Sequence, residues 1–399
     1  MYDAIIVGAR CAGSPLAMLL AHQGHKVLLV DKGSFPSDIM STHGLKVPAA
    51  ARLKEWGLLD SVLASNCPPI HTQQIDFGPF ALTGSSPGID GVQLLVAPRR
   101  RVLDTLLVEA AVAAGAELRE HFTVDEVLFE DGVVTGIRGH ERGGREVTEH
   151  ARIVIGADGR HSTVARAVDA STVVDRGTFC CCYYSYFSGM ARDQITLYPR
   201  PGRFMIDFPT NDGLTVVLVE WPREKFHAFR EDIEGNFLKT LELAPELAER
   251  VRGGKREERF TGTVDLPNFQ RQAHGPGWAL AGDALSHKDP ILAQGISDAF
   301  NDAAFLAEAL HAGLSGTRSM ELALAEYAQR HMEASMPLFE MTCDFATMQP
   351  PPAEMQQLLG SLIGNQEAIN QFIGTSDGTV SMAEFYAPEN LARLTGVAA

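Results

Sequence analysis

Residues 6–14 read IVGARCAGS, set between an apolar run, Ile5 to Val7, and a run with helical spacing, Leu16, Leu19 and Leu20. Ile5, Ile6 and Val7 follow one another without alternation, as strands of a parallel sheet covered on both faces do. Gly8 ends this strand in a tight turn. Gly13 and Ala17 are four positions apart and share one face of the helix that follows, where small residues let helix and strand pack closely. The helix stops near Gly24, and KVLLVD is a second buried strand ending in Asp31. Strand, glycine turn, helix, strand and acid, the acid about twenty residues past the glycines, form a dinucleotide-binding unit. Its helix N-terminus offers free N–H groups and partial positive charge to a pyrophosphate. Asp31 offers a carboxylate to ribose hydroxyls, and its charge disfavours a 2′-phosphate. An ordinary βαβ crossover, whose glycines only make turns, remains the alternative at this point.

One position departs from the pattern. The middle glycine of G-x-G-x-x-G is Arg10. A side chain there must turn away from the pyrophosphate or serve it. An arginine can reach the pyrophosphate or the adenosine as a charge-assisted donor, and that contact is the expectation here.

Composition narrows the classes. The chain has 399 residues, 45% of them hydrophobic, enough for a large core and two packed units. A net charge of -16 repels phosphate backbones and anionic lipid, so neither nucleic acid nor a membrane surface is an expected partner. The six cysteines have no metal-ligand spacing, and three of them, Cys180, Cys181 and Cys182, are adjacent. No metal site and no disulfide framework is expected, and a reducing cytoplasmic setting follows from that usage. The start, MYDAIIVG, lacks a basic region leading into an apolar stretch, and no run of ~18 apolar residues occurs, so neither a signal peptide nor a membrane-spanning helix is expected.

Two further motifs follow. ARIVIGADGRHSTVAR (151–166) takes a buried strand, Ile153 to Ile155, into Gly156, Ala157, Asp158 and Gly159. GWALAGDALSHKDPILAQGISDAF (277–300) ends another short strand in Gly282-Asp283, then passes Pro290 and Gly295 into a helix. Ile296, Ala299, Phe300, Ala303, Ala307 and Leu310 mark that helix by their spacing. Between the second and third motifs the pattern changes to short β-type runs, FCCCYYSYFSGM, QITLYP, RFMIDFP and GLTVVLVEWP, separated by Gly, Pro and Asn-Asp-Gly. That is an antiparallel sheet, and the Cys triplet alternates faces along one of its strands, so it carries no shared chemistry.

With the three motifs in this order, the chain resembles the FAD-dependent monooxygenases with the p-hydroxybenzoate-hydroxylase fold, and the geranylgeranyl-reductase-like flavoproteins beside them, over nearly its whole length. The resemblance implies an α/β fold: a Rossmann-like FAD-binding domain with an interleaved antiparallel-sheet substrate domain and C-terminal helices. The division it implies is 1–75 with 92–175 and 270–315 for FAD, 76–91 with 176–269 for substrate, and 316–399 as the helical region.

It also implies roles. Gly8, Arg10, Cys11, Ala12, Gly13, Asp31 and Lys32 would hold the ADP half of FAD. Arg100 would contact FAD from a helix start, with Arg99 and Arg101 open as alternatives. Val124 would meet the adenine through its backbone. Asp158 belongs to an Asp-Gly motif tied to FAD and NAD(P)H, or caps a turn. Gly282 and Asp283 would bind the ribityl chain, and Gly295 and Ile296 would open a helix facing the flavin pyrimidine. Thr42 and His43 would lie beside the flavin ring, with His43 the candidate catalytic residue for proton transfer, or else a packing or helix-capping residue. Lys46 invites comparison with the lysine of flavin halogenases, although the W-x-W-x-I-P sequence is absent. His287 stands one place later than the family's usual histidine.

The implied function is an FAD-dependent monooxygenase, a hydroxylase or epoxidase. NAD(P)H would act as transient reductant and O2 would react through a flavin C4a-hydroperoxide, on a small aromatic or polyene-like organic substrate. A C=C reductase, a halogenase and a non-enzymatic flavin-binding module are the rivals, and a monomer or homodimer is expected.

Overall fold

The structure, a computed structural model, describes residues 1–190 and 192–396. Its first sheet is built on β1 (Tyr2–Val7), α1 (Gly13–His22) and β2 (Val27–Val30). β1 pairs in parallel with β2 on one side and with strand Glu146–Gly156 on the other. Glu117–Arg119 extends the parallel sheet beyond β2, and Trp278–Leu280 extends it beyond Glu146–Gly156. The unbroken apolar runs explain this layer. Ile5, Ile6, Leu28, Leu29, Ile153 and Ile155 are all fully buried, as central parallel strands must be. α1 packs against helices Arg100–Ala113 and Gly295–Leu314. A hairpin, Phe122–Glu130 with Val133–Glu141, joins antiparallel to Glu146–Gly156.

The second sheet runs in the order Lys255–Arg256, Cys180–Ser188, Thr215–Pro222, Arg203–Pro209, Gln194–Arg200, Thr72–Asp76, Ala81–Gly84. It is antiparallel except where Thr72–Asp76 lies parallel to Gln194–Arg200. Its register places Tyr184 opposite Leu218 and Cys182 opposite Glu220. One face, with Cys180, Cys182, Tyr184, Tyr186, Phe208 and Leu218, packs on Ile291, Leu292 and Ala346. The other, with Cys181, Tyr183 and Val219, is covered by Phe229, Phe237 and Leu247 from three short helices. The cysteine triplet therefore splits between two cores.

Strand Thr72–Asp76 falls in the second sheet, whereas the expected division kept residues up to 75 with the FAD-binding part. Its sequence, TQQID, puts the polar Gln73 at a buried position, which hides the alternation of a strand. A three-stranded sheet, Thr172–Gly177, Asn268–Arg271 and Ser286–His287, is also present. Helix Met320–Ala346 lies along Gly295–Leu314. Four further helices from Ala353 to Thr395 gather over Leu82, with Leu358, Leu362, Ile369, Ile373 and Phe385 as their core. Among the described residues no helix is long and apolar enough to cross a membrane.

Candidate cofactor cavity

A cavity of about 540 Å³ opens at the carboxyl ends of β1 and β2 and reaches the second sheet. Ligands of open α/β sheets bind at that edge. Gly8, Arg10, Cys11, Ala12, Asp31 and Lys32 line it from the first βαβ unit. Thr42, Arg100, Val124 and Asp158 line it from the following segments, and Gly282, Asp283, Gly295 and Ile296 from the last motif. Gly13, the first residue of α1, and His43 do not line it.

Gly8 has φ +105, and a Cβ there would lie 2.3 Å from the Ala157 carbonyl oxygen. That close approach packs the first motif against the second. Asp31 is buried and accepts from Ala9 N–H at 2.8 Å and from Gly33 N–H at 2.7 Å, which orients both carboxylate oxygens at the mouth of the turn. Asp158 Oδ2 accepts from Thr163 N–H at 2.6 Å, so the carboxylate does cap a turn. Among the described residues its other oxygen, buried on a residue of the cavity wall, has no hydrogen-bond partner. Burial pushes the Asp158 carboxyl above the usual carboxylate range, against the bonds from Ser162 and Thr163.

Arg10 turns its guanidinium to Asp104, at 2.7 Å, and to Ser37 Oγ, at 3.2 Å. Arg100 places Nε and Nη2 each 3.0 Å from the same carboxylate. Asp104 is fully buried, so two cations share one anion and leave net positive charge on this wall. Burial works against the Arg100 charge, but Cys11 and Asp104 beside it hold its pKa above the ordinary value. Of the arginine run, Arg99 pairs with Asp38 and Glu258, and Arg101 pairs with exposed Asp212, both away from the cavity. Asp104 was not singled out in the sequence; it is a helical residue with no local mark of its role. Arg10→Ala should weaken FAD binding about tenfold to a hundredfold, the worth of a charged hydrogen bond. Unchanged affinity in an FAD titration would reduce Arg10 to a brace between Asp104 and Ser37.

His43 sits in the core instead. It is 1% exposed, with Nδ1 3.1 Å from the Ala97 carbonyl and Nε2 3.0 Å from the Tyr186 hydroxyl. A neutral ring satisfies both, donating to Ala97 and accepting from Tyr186. Burial pulls its pKa down to about 4. The ring is thus uncharged at neutral pH and does not line the cavity, although Thr42 and Gly44 on either side of it do. Its unfolded counterpart gains a proton below the ordinary value of 6.5, so this histidine costs the fold stability as pH falls from there to about 4. His43→Ala should remove that acid-side component and lower unfolding free energy by about 2–4 kcal/mol at neutral pH. FAD affinity should not change; a matching loss of affinity would return His43 to the site.

Gly282 has φ +59, and a Cβ on it would come within 2.8 Å of Ala12 Cβ, which brings the third motif against the first. Its N–H donates to Asp302 Oδ2 at 2.9 Å, and Asp302 is held in turn by His331 at 2.6 Å. Neither partner was legible, because Asp302 is a helical residue of Gly295–Leu314 with no local mark of its role and His331 lies on the following helix. Helix Gly295–Leu314 begins at the wall, and its N-cap, Gln294, makes no side-chain cap bond. Its first N–H groups are left for a ligand. The far wall is Cys182, Tyr184, Leu218 and Leu266, with Lys288 beside them, its Nζ 2.6 Å from Asp298.

These features fit FAD: close backbone approaches at Gly8 and Gly282, an acid for ribose, two arginines sharing one carboxylate for pyrophosphate, an orphan acceptor on Asp158 and a free helix start.

The comparisons agree. Residues 1–339 match the FAD binding domain family. A digeranylgeranylglycerophospholipid reductase of Methanosarcina acetivorans is 27% identical over 348 residues, covering 84% of this chain and 81% of the relative. The flavin-dependent brominase Bmp2 superposes with a TM-score of 0.84 at 18% identity, over 99% of this chain and 97% of that one. PqsL of Pseudomonas aeruginosa, described as a probable FAD-dependent monooxygenase, superposes with a TM-score of 0.72 at 22% identity, over 94% and 99%. These structures share the fold. By its sequence and its cavity, the chain belongs to the FAD binding domain family and is an FAD-dependent oxidoreductase.

Proposed function

We propose that this protein is an FAD-dependent monooxygenase that uses NAD(P)H and O2 on a small aromatic or short polyene-like substrate. One observation carries the reading. The far wall of the cavity is Cys182, Tyr184, Leu218 and Leu266, and Tyr186, Phe208, Ile291 and Leu292 pack behind it, leaving a void of only about 10 Å³ at Phe208. That closed end favours a compact organic molecule over the flavin ring rather than a long prenyl chain.

FAD, when bound, supplies the redox chemistry, taking electrons from NAD(P)H and delivering them to O2. The residues of this chain bind, orient and exclude water. Arg10 and Arg100 would meet the pyrophosphate, Asp31 the ribose and Asp283 the ribityl hydroxyls. The start of helix Gly295–Leu314 would offer its N–H groups to the flavin and favour negative charge there. Tyr184, Leu218 and Leu266 keep the substrate side dry.

A reductase reading draws on the name of the archaeal relative, and a halogenase reading on the brominase fold. Against the second, Lys46 does not line this cavity and is bound to Asp377 at 2.6 Å, although it does line a void of about 10 Å³ that shares Gly44 and Ala293 with the cavity wall. Anaerobic reduction by NAD(P)H followed by oxygen, across a panel of small aromatic and polyene compounds, separates the three. The expected result is a product heavier by one oxygen. Saturation of a C=C bond without oxygen uptake would transfer the assignment to a reductase, and a halide-dependent product to a halogenase.

A further inference from the structure

Cys180, Glu220 and Asp289 meet just beyond the far wall of the cavity, with their sulfur and carboxylate oxygens within 4.8 Å of one another. Glu220 lies on the strand Thr215–Pro222, two residues past Leu218 of the cavity wall. Asp289 stands between Lys288 and Pro290, both on that wall. Cys180 and Glu220 are fully buried, and Asp289 is 1% exposed.

The polar partners are few. Asp289 Oδ1 accepts from Ile291 N–H at 3.1 Å, and Asp289 N–H donates to Asn268 Oδ1 at 2.7 Å. Both Glu220 oxygens and Asp289 Oδ2 have no hydrogen-bond partner among the described residues. The neighbouring cation, Lys288, pairs with Asp298 instead. The other titratable groups facing the pair are thiols: Cys180 and Cys182 on the adjacent strand, and Cys343 on helix Met320–Ala346. On its other side, strand Arg203–Pro209 sets Phe204 opposite Glu220.

Two ionised carboxylates cannot face each other in such a place, since each loses several kcal/mol of hydration and they repel. A bound cation or a shared proton relieves this. The cation is the poorer answer. The Cys180 thiol already lies 3.1 Å from the Ala346 carbonyl as a donor, and only two carboxylates then remain to hold a metal.

We infer that Glu220 and Asp289 hold one proton between them, Glu220 donating to Asp289 Oδ2, and that this proton clasps the second sheet to the loop that walls the cavity. The pair positions Lys288 and Pro290; it does not touch the cavity itself. Loss of the proton to solvent leaves two like charges in contact and pushes the loop off the sheet. The inference rests on the geometry of the pair and stands apart from the monooxygenase reading.

The pH dependence has a definite sign. Burial, then Asp289, pushes the Glu220 carboxyl well above its usual range, and burial raises Asp289 to about 6. The folded chain keeps a proton that the unfolded chain gives up above the ordinary carboxylate pKa, so this contribution to stability declines as pH rises toward neutral and beyond.

The test compares the FAD-loaded wild type with Glu220→Gln, whose amide N–H replaces the acid proton. Infrared spectra in H2O and D2O should show a protonated-carboxyl C=O band in the wild type that Glu220→Gln lacks. From about pH 5 upward, the folding equilibrium of the wild type should fall relative to Glu220→Gln by up to about tenfold per pH unit. Asp289→Asn, whose amide can donate to an ionised Glu220, gives the same comparison if the first variant does not fold. Parallel pH profiles and no missing band would overturn the inference. So would a stoichiometric metal, found by elemental analysis of the wild type and lost in Glu220→Gln.

Discussion

Gly13→Ala will leave the purified protein without FAD and lower its unfolding free energy by about 3 kcal/mol or more, the upper range for overpacking a core. An added Cβ would lie 1.8 Å from the Gly8 carbonyl oxygen and 3.1 Å from Ile6 Cγ2. Neither neighbour can give way. Ile6 is fully buried in the centre of the parallel sheet, and Gly8 is itself pressed on Ala157. The helix must move instead, and it carries Cys11 and Ala12 away from the cavity wall. An affinity loss of about a hundredfold corresponds to the same energy. Gly24→Ala is the control. Gly24 also has a left-handed φ, +85, but a Cβ there meets nothing within 4 Å. It should cost about 1 kcal/mol through backbone strain alone and leave FAD affinity intact. Flavin-to-protein absorbance after gel filtration, with FAD titration of the stripped protein, reads both. Equal affinity in the two variants would show that the α1 contact does not shape the site.

The first sheet was legible because its signal is local. Ile5-Ile6-Val7, Val27 to Val30 and Ile153 to Ile155 are runs that only a doubly covered strand tolerates; the first two end in Gly8 and Asp31, both on the cavity wall, and the third passes through Gly156 to Asp158, which is also on it. The split of Cys180, Cys181 and Cys182 between two cores was legible for the same reason, since strand alternation needs no knowledge of partners. What escaped the sequence was pairing across distance. Arg10 stood out as a misplaced side chain, yet nothing near it announces Asp104, its partner on another helix. His43 was chosen for its chemistry, but chemistry follows environment, and Ala97, Tyr186 and Phe208 converge on it only in the folded chain. Gln73 concealed a strand because a buried polar residue makes sense only once its partner is known.

That partner is Asp377, and Asp377→Ala should be among the most destabilising single changes in the chain. Lys46 Nζ lies 2.6 Å from Asp377 Oδ1, with the two side chains 4% and 0% exposed. Asp377 Oδ2 accepts from Gln73 and Ser86. One carboxylate thus ties together the loop after β2, strand Thr72–Asp76, the segment at Ser86 and the end of helix Gln366–Asp377. Removing it leaves a buried ammonium without a counter-charge, which costs about 3–5 kcal/mol. The C-terminal helices should loosen with it, since the remaining hold of their core on the second sheet centres on Leu82. Limited proteolysis should then cut at Met348–Gln349, just ahead of the prolines at 350–352, where helix Met320–Ala346 gives way to the next. Lys46→Met alone should be milder, because the stranded carboxylate keeps its bonds from Gln73 and Ser86. Lys46→Met/Asp377→Leu should recover much of the loss, because replacing both charges removes the desolvation cost along with the attraction. A double-mutant cycle measures that coupling directly. The cycle also decides what the lysine is for. If the anchor is its role, the double variant binds FAD and oxidises NAD(P)H like the wild type. A double variant that is stable and FAD-loaded but unable to turn over would instead give Lys46 a part in the chemistry and revive the halogenase reading.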